Sequence, residues 1–424
     1  MRPRDAAGVA AALEGGPAIA RGMGRAYGDS ALNPAATLDM RRLNRMLRFE
    51  PQTGLLEAEA GVVLGDVIAA LMPRGWFPAV TPGTRFVTLG GAIAADVHGK
   101  NHHRDGGFGS FVEWIDLMGP DGTVRRCTRD AEPELFGLTI GGMGLTGVIL
   151  RAGVRLRPVE TGWIRQTTIP CADLDQVMAA FEEMADATYS VAWIDCLARG
   201  AALGRSLLML GEHAAVSDLD PVRRADPFAT PRRRRLRAPL DAPGWALNRW
   251  TVGAFNALYR AKGARAAGEA LVDWEGYFYP LDAVADWNRI YGRRGFVQFQ
   301  CVLPPDTARA GLAALLEATA AAGQGSFLAV LKRLGAEDRP LSFPMEGYTL
   351  ALDFPVRPAT LALLDRLDRI VLEHGGRFYL AKDARMSAET LGATDPRFAR
   401  FAGLRRERGW HERFASLQSE RLGI

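Results

Sequence analysis

The sequence predicts an α+β fold made of two domain-sized units. Its 424 residues exceed what a single hydrophobic core usually organises. Up to about residue 160, strand-length apolar runs alternate with short helical patterns and many glycines. Beyond that point the helical patterns are longer and the glycine clusters fewer. A hydrophobic content of 48% and a charged content of 24% are ordinary for a globular protein.

The first unit is predicted to start with a strand that leads into a glycine-rich turn. An apolar run at Pro17–Ala20 precedes the turn, and Leu55–Gly61 is the next strand candidate. Apolar residues then repeat at helical spacing until Gly75, which is expected to end the helix. An Asp-Gly pair at 121–122 between two apolar runs predicts a hairpin. Pro133–Leu138 is a further helix candidate.

The second unit is predicted to begin near Pro158 and to combine long helices with buried strands. The helical patterns lie at Leu174–Ala187, Thr307–Ala322 and Ala359–His374, and the strand-like runs lie at Phe296–Leu303 and Tyr348–Phe354. The stretch Val216–Ala246 is rich in Pro and Arg, which predicts a loop.

Composition excludes several classes of function. The four cysteines are widely spaced and form no C-x-x-C, so neither a zinc site nor a disulfide framework is expected, and no metal ligands are assigned. No run of about 18 apolar residues occurs, so no membrane span is expected. The N-terminus contains Asp5 and no long apolar core, so it is a poor signal peptide.

Lysine is rare in this chain. Lys100, Lys262, Lys332 and Lys382 are four of the 52 basic residues, and all others are Arg. In such a composition a retained Lys is expected where a compact ammonium group is needed, because the planar guanidinium of Arg does not replace it.

Two glycine-rich stretches carry the clearest chemical pattern. Arg21–Ser30 reads R-G-M-G-R-A-Y-G-D-S, and such a turn after a strand can hold a diphosphate through its N–H groups, although glycine turns are common. Thr81–His103 reads T-P-G-T-R-F-V-T-L-G-G-A-I-A-A-D-V-H-G-K-N-H-H. Its small residues let the backbone approach a flat ligand closely. His98 and Lys100 supply groups that bind or steer a substrate.

A third glycine motif is not expected to bind a dinucleotide. Gly142–Gly147 matches G-x-G-x-x-G, but a helix candidate precedes it and a β-rich run follows it. The dinucleotide-binding fingerprint requires the reverse order, a strand before the glycines and a helix after them. A Rossmann site is therefore not predicted here.

These motifs together resemble those of the FAD oxidoreductases of the vanillyl-alcohol-oxidase class. Within that class, H-G-K-N-H-H resembles the decaprenylphosphoryl-β-D-ribose 2′-oxidases, and the resemblance extends over residues 6–422. It implies an α+β, two-domain PCMH-type FAD-binding fold with a discontinuous FAD domain and an α+β substrate domain. The implied limits are residues 1–160 for the FAD domain, 161–376 for the substrate domain, and 377–424 for a C-terminal segment that returns to the FAD domain.

The resemblance implies FAD that is bound without a covalent link. Many relatives with covalent flavin carry a His where this chain has Arg25, and Arg cannot form that bond. The implied cofactor-binding residues are Arg21, Gly22, Gly24, Arg25, Ala26, Tyr27, Gly28, Ser30, Pro82, Gly83, Thr84, Thr88, Gly90, Gly91, Ala95, His98, Gly99, Gly144, Gly147, Ile149 and Tyr379.

The resemblance also assigns the reacting side of the site. The implied catalytic residues are Lys382, His98 and Tyr379. The implied substrate-binding residues are Lys100, Trp193, Gln298, Gln300, Lys332, Thr349 and Lys382. Gln298 and Gln300 share one face of a strand because side chains alternate. Relatives carry Asn and often Cys where T-L-A-L-D-F-P has Thr349 and Ala351, and Phe278 replaces a pocket Tyr.

The expected activity is FAD-dependent oxidation of a sugar secondary hydroxyl, at C2 of a polyprenyl-phosphate-linked ribofuranose. The family implies a short-chain reductase partner that completes an epimerisation. Because neither a signal peptide nor a membrane span is seen, the expected place is the cytoplasm or the inner-membrane surface. The Arg232–Arg237 region predicts attraction to anionic lipid, and no nucleic-acid partner is expected. Two alternatives stay open: an aldonolactone or alditol oxidase acting on a soluble sugar, and a non-enzymatic basic protein that binds anionic surfaces.

Overall fold

Two large, mainly antiparallel sheets organise the chain. A computed structural model describes residues 1–231, 236–243 and 246–424. The elements of the first 160 residues are α1 (Ala6–Glu14), β1 (Ala18–Arg21), β2 (Ala36–Asp39), β3 (Met46–Glu50), β4 (Leu55–Glu59), α2 (Leu64–Leu71), β5 (Trp76–Pro78), α3 (Leu89–Ala94), α4 (His102–Asp105), β6 (Val112–Met118), β7 (Val124–Thr128), α5 (Pro133–Thr139) and β8 (Val148–Pro158).

The remaining elements build the second sheet, its helices and a helical C-terminus. They are β9 (Trp163–Cys171), α6 (Leu174–Glu183), β10 (Tyr189–Ile194), β11 (Ser206–His213), α7 (Pro221–Ala225), β12 (Leu236–Arg237), α8 (Arg249–Arg265), β13 (Gly268–Asp273), α9 (Trp274–Phe278), β14 (Val284–Ala285), β15 (Phe296–Leu303), α10 (Pro305–Ala322), β16 (Val330–Leu334), β17 (Gly347–Pro355), α11 (Pro358–Glu373), β18 (Arg377–Phe378), α12 (Ala388–Thr394), α13 (Arg397–Glu407) and α14 (Leu417–Leu422).

The first sheet forms around the long strand β8. Strand order is β3-β4-β8-β6-β7, with β5 paired to β8, while β1 and β2 form a separate parallel pair. The predicted hairpin at 121–122 is confirmed, since β6 and β7 pair across it and Gly122 has a φ of 77°. A positive φ of this kind is readily adopted by glycine.

The second sheet has the order β13-β9-β11-β10-β16-β17-β15-β18. One face is apolar: Ala192, Leu331, Leu350, Cys301 and Phe299 point into a core shared with helices α6, α10 and α11. Because successive side chains alternate, the other face of the same strands carries the polar residues. That face is directed toward the first unit, where it meets His98.

The C-terminal residues pack against the first 160 residues. Leu380, Phe401 and Phe414 belong to the same buried cluster as α1 and the first sheet. The backbone N–H of Ala18 donates to the carbonyl of Arg413 over 2.9 Å. The chain therefore returns, after the second sheet, to the unit in which it began.

Most elements predicted from periodicity are confirmed, with ends shifted by a few residues. One prediction is wrong: Val216–Ala246 is not simply a loop, because α7 and the short strand β12 lie within it. Asp220 caps α7 through the N–H groups of its first turn, and Pro221 occupies the first helical position. Four residues of the predicted lipid-attracting run, 232–235, lie outside the described residues.

Across the described ranges, no helix is long and apolar enough to cross a bilayer. The four cysteine thiols are free and buried.

Candidate active site

Two glycine-rich loops lie against each other at the end of β1. The first, Arg21–Gly28, follows β1, and the second leads from Thr81 into α3. A Cβ atom at Gly22 would lie 2.1 Å from the Oγ1 atom of Thr88. The contact between the loops therefore requires glycine at this position.

The two loops present unpaired backbone donors. Within the described part of the chain, the N–H groups of residues 23–26 and 83–84 have no hydrogen-bond partner. A Cβ added at Gly83 would meet no atom within 4 Å, so the second loop borders open space. Free N–H groups in glycine-rich turns are the donors that a phosphate accepts. These residues fit the pyrophosphate of a dinucleotide cofactor.

Several predicted cofactor residues also make contacts within the protein. The Nε atom of Arg25 donates to the carbonyl of Phe86 (3.3 Å), and the Thr84 hydroxyl donates to Asp282 (2.8 Å). Thr88 caps α3 by accepting the N–H of its third residue. These side chains thus shape the loops, whereas the free backbone groups offer the binding atoms.

Other predicted cofactor positions allow close packing of backbone. A Cβ at Gly90 would lie 2.9 Å from the Cβ of Ala60, and one at Gly147 would lie 2.6 Å from the carbonyl of Met118. Ile149 is buried within β8. Gly147 precedes β8 directly, so the G-x-G-x-x-G motif opens a strand and not a helix, as expected. Of the remaining predicted positions, Arg21 ends β1, Gly91 lies within α3 and Gly144 lies in the turn before β8. The others lie in the two loops or their neighbouring turns: Gly24, Ala26, Tyr27, Gly28, Ser30, Pro82 and Gly99.

The C-terminal segment closes the site beside α3. The Tyr379 hydroxyl donates to the carbonyl of Ala95 (2.9 Å), and the ring of His98 lies 5.0 Å from that of Tyr379. The N–H of Tyr27 donates to the carbonyl of Ala381 (2.8 Å). Predicted cofactor residues from three distant parts of the sequence therefore meet here.

Strand register places the predicted substrate residues on one face of the second sheet. Lys332 lies opposite Thr349, and Trp193 lies opposite Val330 on the same face. Gln298 lies opposite residue 353, and Gln300 lies opposite residue 351, two positions further along. Directly opposed residues of antiparallel strands point to the same side, so these side chains line one surface.

A buried hydrogen-bond network joins this face to His98. The Gln300 amide donates to the Nε2 atom of His98 (2.9 Å) and to the Thr349 hydroxyl (3.2 Å). Burial, together with the charge of Lys332, holds the pKa of His98 well below its ordinary value. His98 is therefore neutral, with its proton on Nδ1, an atom that is buried and has no partner. It can donate that hydrogen to a ligand.

Three of the four lysines gather at the site. Burial, and to a smaller extent the charge of Lys332, lowers the pKa of Lys100 to about 7. Burial, and to a smaller extent the charge of Lys382, lowers the pKa of Lys332 to about 7. The Lys100 ammonium donates to the carbonyl of Tyr277, and that of Lys382 lies 4.0 Å above the ring of Tyr27. Mutual repulsion of ammonium groups in a desolvated cleft favours an anionic ligand.

Asp353 is a functional candidate that sequence reasoning missed. It is 1% exposed, and the Gln298 amide donates to its Oδ1 atom, while Oδ2 has no partner. Burial raises the pKa of Asp353 against the opposing effects of Gln298 and Lys382. Burial in turn lowers the pKa of Lys382 against the opposing effect of Asp353. An acid in the apolar strand T-L-A-L-D-F-P was the available signal, since charged groups are rarely buried without a role.

Comparison with known proteins identifies the family. Residues 2–128 match a family model described as an FAD binding domain. The chain is 37% identical over 420 residues to decaprenylphosphoryl-β-D-ribose oxidase of Mycolicibacterium smegmatis, a match that covers 98% of this chain and 91% of that protein. This chain belongs to the decaprenylphosphoryl-β-D-ribose oxidase family. It is an FAD-dependent oxidoreductase, and its predicted α+β, PCMH-type FAD-binding fold is confirmed.

Two further relatives show how far the similarity extends. An uncharacterised protein from the mprA 5′ region of Streptomyces coelicolor is 36% identical over 380 residues, 86% of this chain and all of that protein. L-gulonolactone oxidase of Bos taurus is 27% identical over only 149 residues, 35% of this chain and 33% of that protein. The aldonolactone-oxidase alternative is therefore not favoured, and the non-enzymatic alternative is set aside.

Within this member of the family, not every polar residue of H-G-K-N-H-H faces the cleft. The Asn101 amide donates to the carbonyl of Ala79 (2.9 Å), and the Nε2 atom of His103 bonds the carbonyl of Ala187 (2.9 Å). The Nδ1 atom of His102 accepts the N–H of Gly335 (3.2 Å). His102 and His103 thus tie the first unit to the second and Asn101 bonds within the first unit, whereas His98 and Lys100 serve the site.

Ala351 and Phe278, two residues that differ from those of the relatives, have different surroundings. Ala351 lies opposite Gln300 on the substrate face. Phe278 packs within an aromatic cluster, 5.2 Å from the ring of Phe77 and 4.9 Å from that of Tyr189. Only the first departure changes the polar surface of the sheet.

Proposed function

We propose that this protein oxidises the C2 hydroxyl of a polyprenyl-phosphate-linked ribofuranose to a ketone. The family member from M. smegmatis is named for decaprenylphosphoryl-β-D-ribose, and this chain matches that protein over nearly its whole length. When bound, FAD accepts the hydride that the substrate carbon loses. The protein's own residues must then hold the sugar, its phosphate and the hydroxyl proton.

The observation that carries the proposal is the cation-rich polar face beside the FAD loops. Lys100, Lys332 and Lys382 converge there, with Gln300 and Thr349 on the adjoining strands. Ammonium groups suit a phosphate as point charges, and the amide and hydroxyl suit sugar hydroxyls. A soluble neutral sugar would not need three lysines in one desolvated cleft.

Each predicted reacting residue has a role that its contacts support. His98 offers its Nδ1–H to a substrate oxygen because its Nε2 atom already accepts from Gln300. Lys382 positions the hydroxyl and balances negative charge, from its place above the ring of Tyr27. Tyr379 fixes the wall against α3 through its bond to Ala95.

The proposed domain limits follow the packing of the chain. Residues 1–160 and 377–424 form one discontinuous FAD domain, and residues 161–376 form the substrate domain, with β18 at the start of the C-terminal segment pairing to β15 of the second sheet. The ion pair between Arg421 and Asp29 (2.8 Å) and the shared buried cluster support this division.

A peripheral membrane contact is proposed through helix α8. Its outward side carries Trp250 and Leu258, which are 72% and 73% exposed, and the helix contains four basic residues and no acid. An apolar stripe with basic flanks is typical of helices that lie at a lipid surface. The ring of Tyr259 on α8 lies 4.9 Å from that of Trp193, so this surface adjoins the substrate face.

The setting of the reaction follows from its chemistry. A lipid-linked substrate requires work at a membrane, which favours a peripheral place at the inner-membrane surface over a place free in the cytoplasm. The ketone product requires a reductase if an epimerisation is to be completed, and a short-chain reductase is the proposed partner.

The proposed function is tested by anaerobic reduction of the bound flavin. A polyprenyl-phosphoryl ribose analogue should bleach the flavin absorbance in stopped flow, and product analysis should show a keto sugar. Free ribose, which lacks the phosphate, should reduce the flavin far more slowly. Equal reduction by L-gulonolactone, or none by the phosphorylated analogue, would reject the proposal.

A further inference from the structure

We propose that Asp353 accepts the proton of the substrate hydroxyl as the sugar carbon is oxidised. The inference rests on the proposed function and adds a catalytic residue to it. Asp353 is on β17, opposite Gln298 of β15, on the face that holds the predicted substrate residues. The Gln298 amide donates to one carboxylate oxygen, and the other, Oδ2, is buried without a partner. A buried carboxylate oxygen with no donor is prepared for one from a ligand.

The charges of Asp353 and Lys382 act on each other. Asp353 and Lys382 affect each other's pKa, yet they form no ion pair within 4.0 Å. A hydroxyl oxygen bound between them would use hydrogen bonds of the ordinary length, about 2.7–3.0 Å. Lys382 would then donate to that oxygen, and the oxygen would donate its hydrogen to Asp353.

The other titratable groups around this point are poor proton acceptors. His98 uses its Nε2 atom to accept from Gln300, so the free ring nitrogen already carries hydrogen. Burial, with Asp353, raises the pKa of Tyr27 and of Tyr291 well above the ordinary value, so both phenols stay protonated. Burial likewise raises the pKa of Tyr379. These phenols can donate hydrogen bonds but do not remove a proton.

The two other lysines of the site, Lys100 and Lys332, lie at other points of it. The Lys100 ammonium donates to the carbonyl of Tyr277. Lys332 lies opposite Thr349, four residues along β17 from Asp353, or about 13 Å at the usual rise per strand residue. Asp353 is thus a carboxylate of the substrate face whose charge acts on Lys382.

The step balances in atoms and electrons. The O–H bond breaks and its proton goes to the Asp353 carboxylate. The C–H bond of the same carbon breaks, and its hydrogen leaves with both bonding electrons as hydride to FAD. The electron pair left by the O–H bond forms the C=O bond. The alcohol is oxidised by two electrons, and Asp353 later returns its proton to solvent.

The decisive variant is Asp353→Asn, with Asp365→Asn as the matched control at an exposed carboxylate paired with Arg385. Asn keeps an oxygen that accepts from Gln298, so the strand pairing is preserved. The visible flavin spectrum verifies that FAD is retained. The rate of flavin reduction at saturating polyprenyl-phosphoryl ribose should fall about 10²- to 10⁴-fold, as expected for a lost general base. The control should reduce at the wild-type rate.

A pH profile separates catalysis from a structural role. Wild-type reduction should rise with pH as Asp353 ionises, with a midpoint above the ordinary carboxyl range because burial raises its pKa. This rise should vanish in Asp353→Asn. Formate added to Asp353→Ala should restore part of the rate by replacing the carboxylate. A wild-type rate in Asp353→Asn, or a wild-type profile without the rise, overturns the role of Asp353. Failure of the wild type to be reduced overturns the proposed function, and this role with it.

Discussion

Replacing Lys382 by Met tests how much the buried charge contributes to the chemistry. Met preserves the length and the apolar stem of the side chain but removes the ammonium that lies 4.0 Å above the ring of Tyr27. Two unit charges about 5 Å apart at an effective dielectric constant of about 20 interact by about 3 kcal/mol. At about 1.4 kcal/mol per tenfold, the rate of flavin reduction should fall about 10²-fold.

The loss should appear in the rate at saturation, because the hydroxyl's developing negative charge exists in the transition state and not in the bound substrate. Lys382→Arg should not rescue it, since a planar guanidinium does not occupy the place of a compact ammonium. The acid limb of the pH profile, which is the rise of the flavin-reduction rate as Asp353 ionises, should move to higher pH. A positive neighbour favours the carboxylate and lowers its pKa, so its removal raises the pKa of Asp353.

Anaerobic stopped flow over a range of pH measures both quantities. Arg309→Met is the control, because Arg309 is an exposed cation paired with Asp175 on the far helices. Unchanged reduction in Lys382→Met, or an acid limb that moves to lower pH, would refute the assigned role of Lys382.

Four further outcomes are expected. Lys332→Met should raise KM for the phosphorylated sugar at least tenfold, with little change in the saturated rate of flavin reduction; an unchanged KM contradicts phosphate binding there. Acid precipitation should release all flavin into the supernatant, because Arg25 cannot form a covalent bond to the flavin. Flavin that stays in the pellet would refute non-covalent binding. A thiol-directed inhibitor should leave no adduct on the peptide that contains Ala351, as mass spectrometry can show. Trp250→Glu should reduce the fraction of protein that sediments with anionic vesicles. Leu372→Glu, the control at an apolar residue of another helix that is 44% exposed, should not reduce it. Equal recovery of both variants with the vesicles rejects the lipid contact.

The parts of the fold with strong periodicity or turn signals were predictable. Helices α10 and α11 and strand β15 show clear apolar repeats, and the hairpin at 121–122 carries an Asp-Gly pair. Helix α8 was not predicted, because only Val252 and Asn256 are buried along its length and the apolar repeat points outward. An apolar repeat that faces solvent does not mark the core-facing stripe by which a helix is predicted from sequence.

The candidate site was predicted residue by residue but not as an arrangement. The rarity of lysine and the family motifs pointed to Lys100, Lys332 and Lys382. That Lys332 faces Thr349, and that Gln298 faces Asp353, depends on the register of strands far apart in sequence. Register follows from the tertiary packing of the whole sheet. The role of Asp353 therefore emerged only from the structure.

Removal of hydrogen from C2 beside Asp353 and Lys382 is the central claim, and one isotope measurement tests it directly. A polyprenyl-phosphoryl ribose carrying deuterium at C2 should reduce the flavin of the wild-type enzyme several-fold more slowly than the unlabelled compound. Deuterium at C3 should have no such effect, and the product should lose the C2 label. Equal rates for the C2-labelled and unlabelled compounds, or a product that keeps the C2 deuterium, would contradict the account.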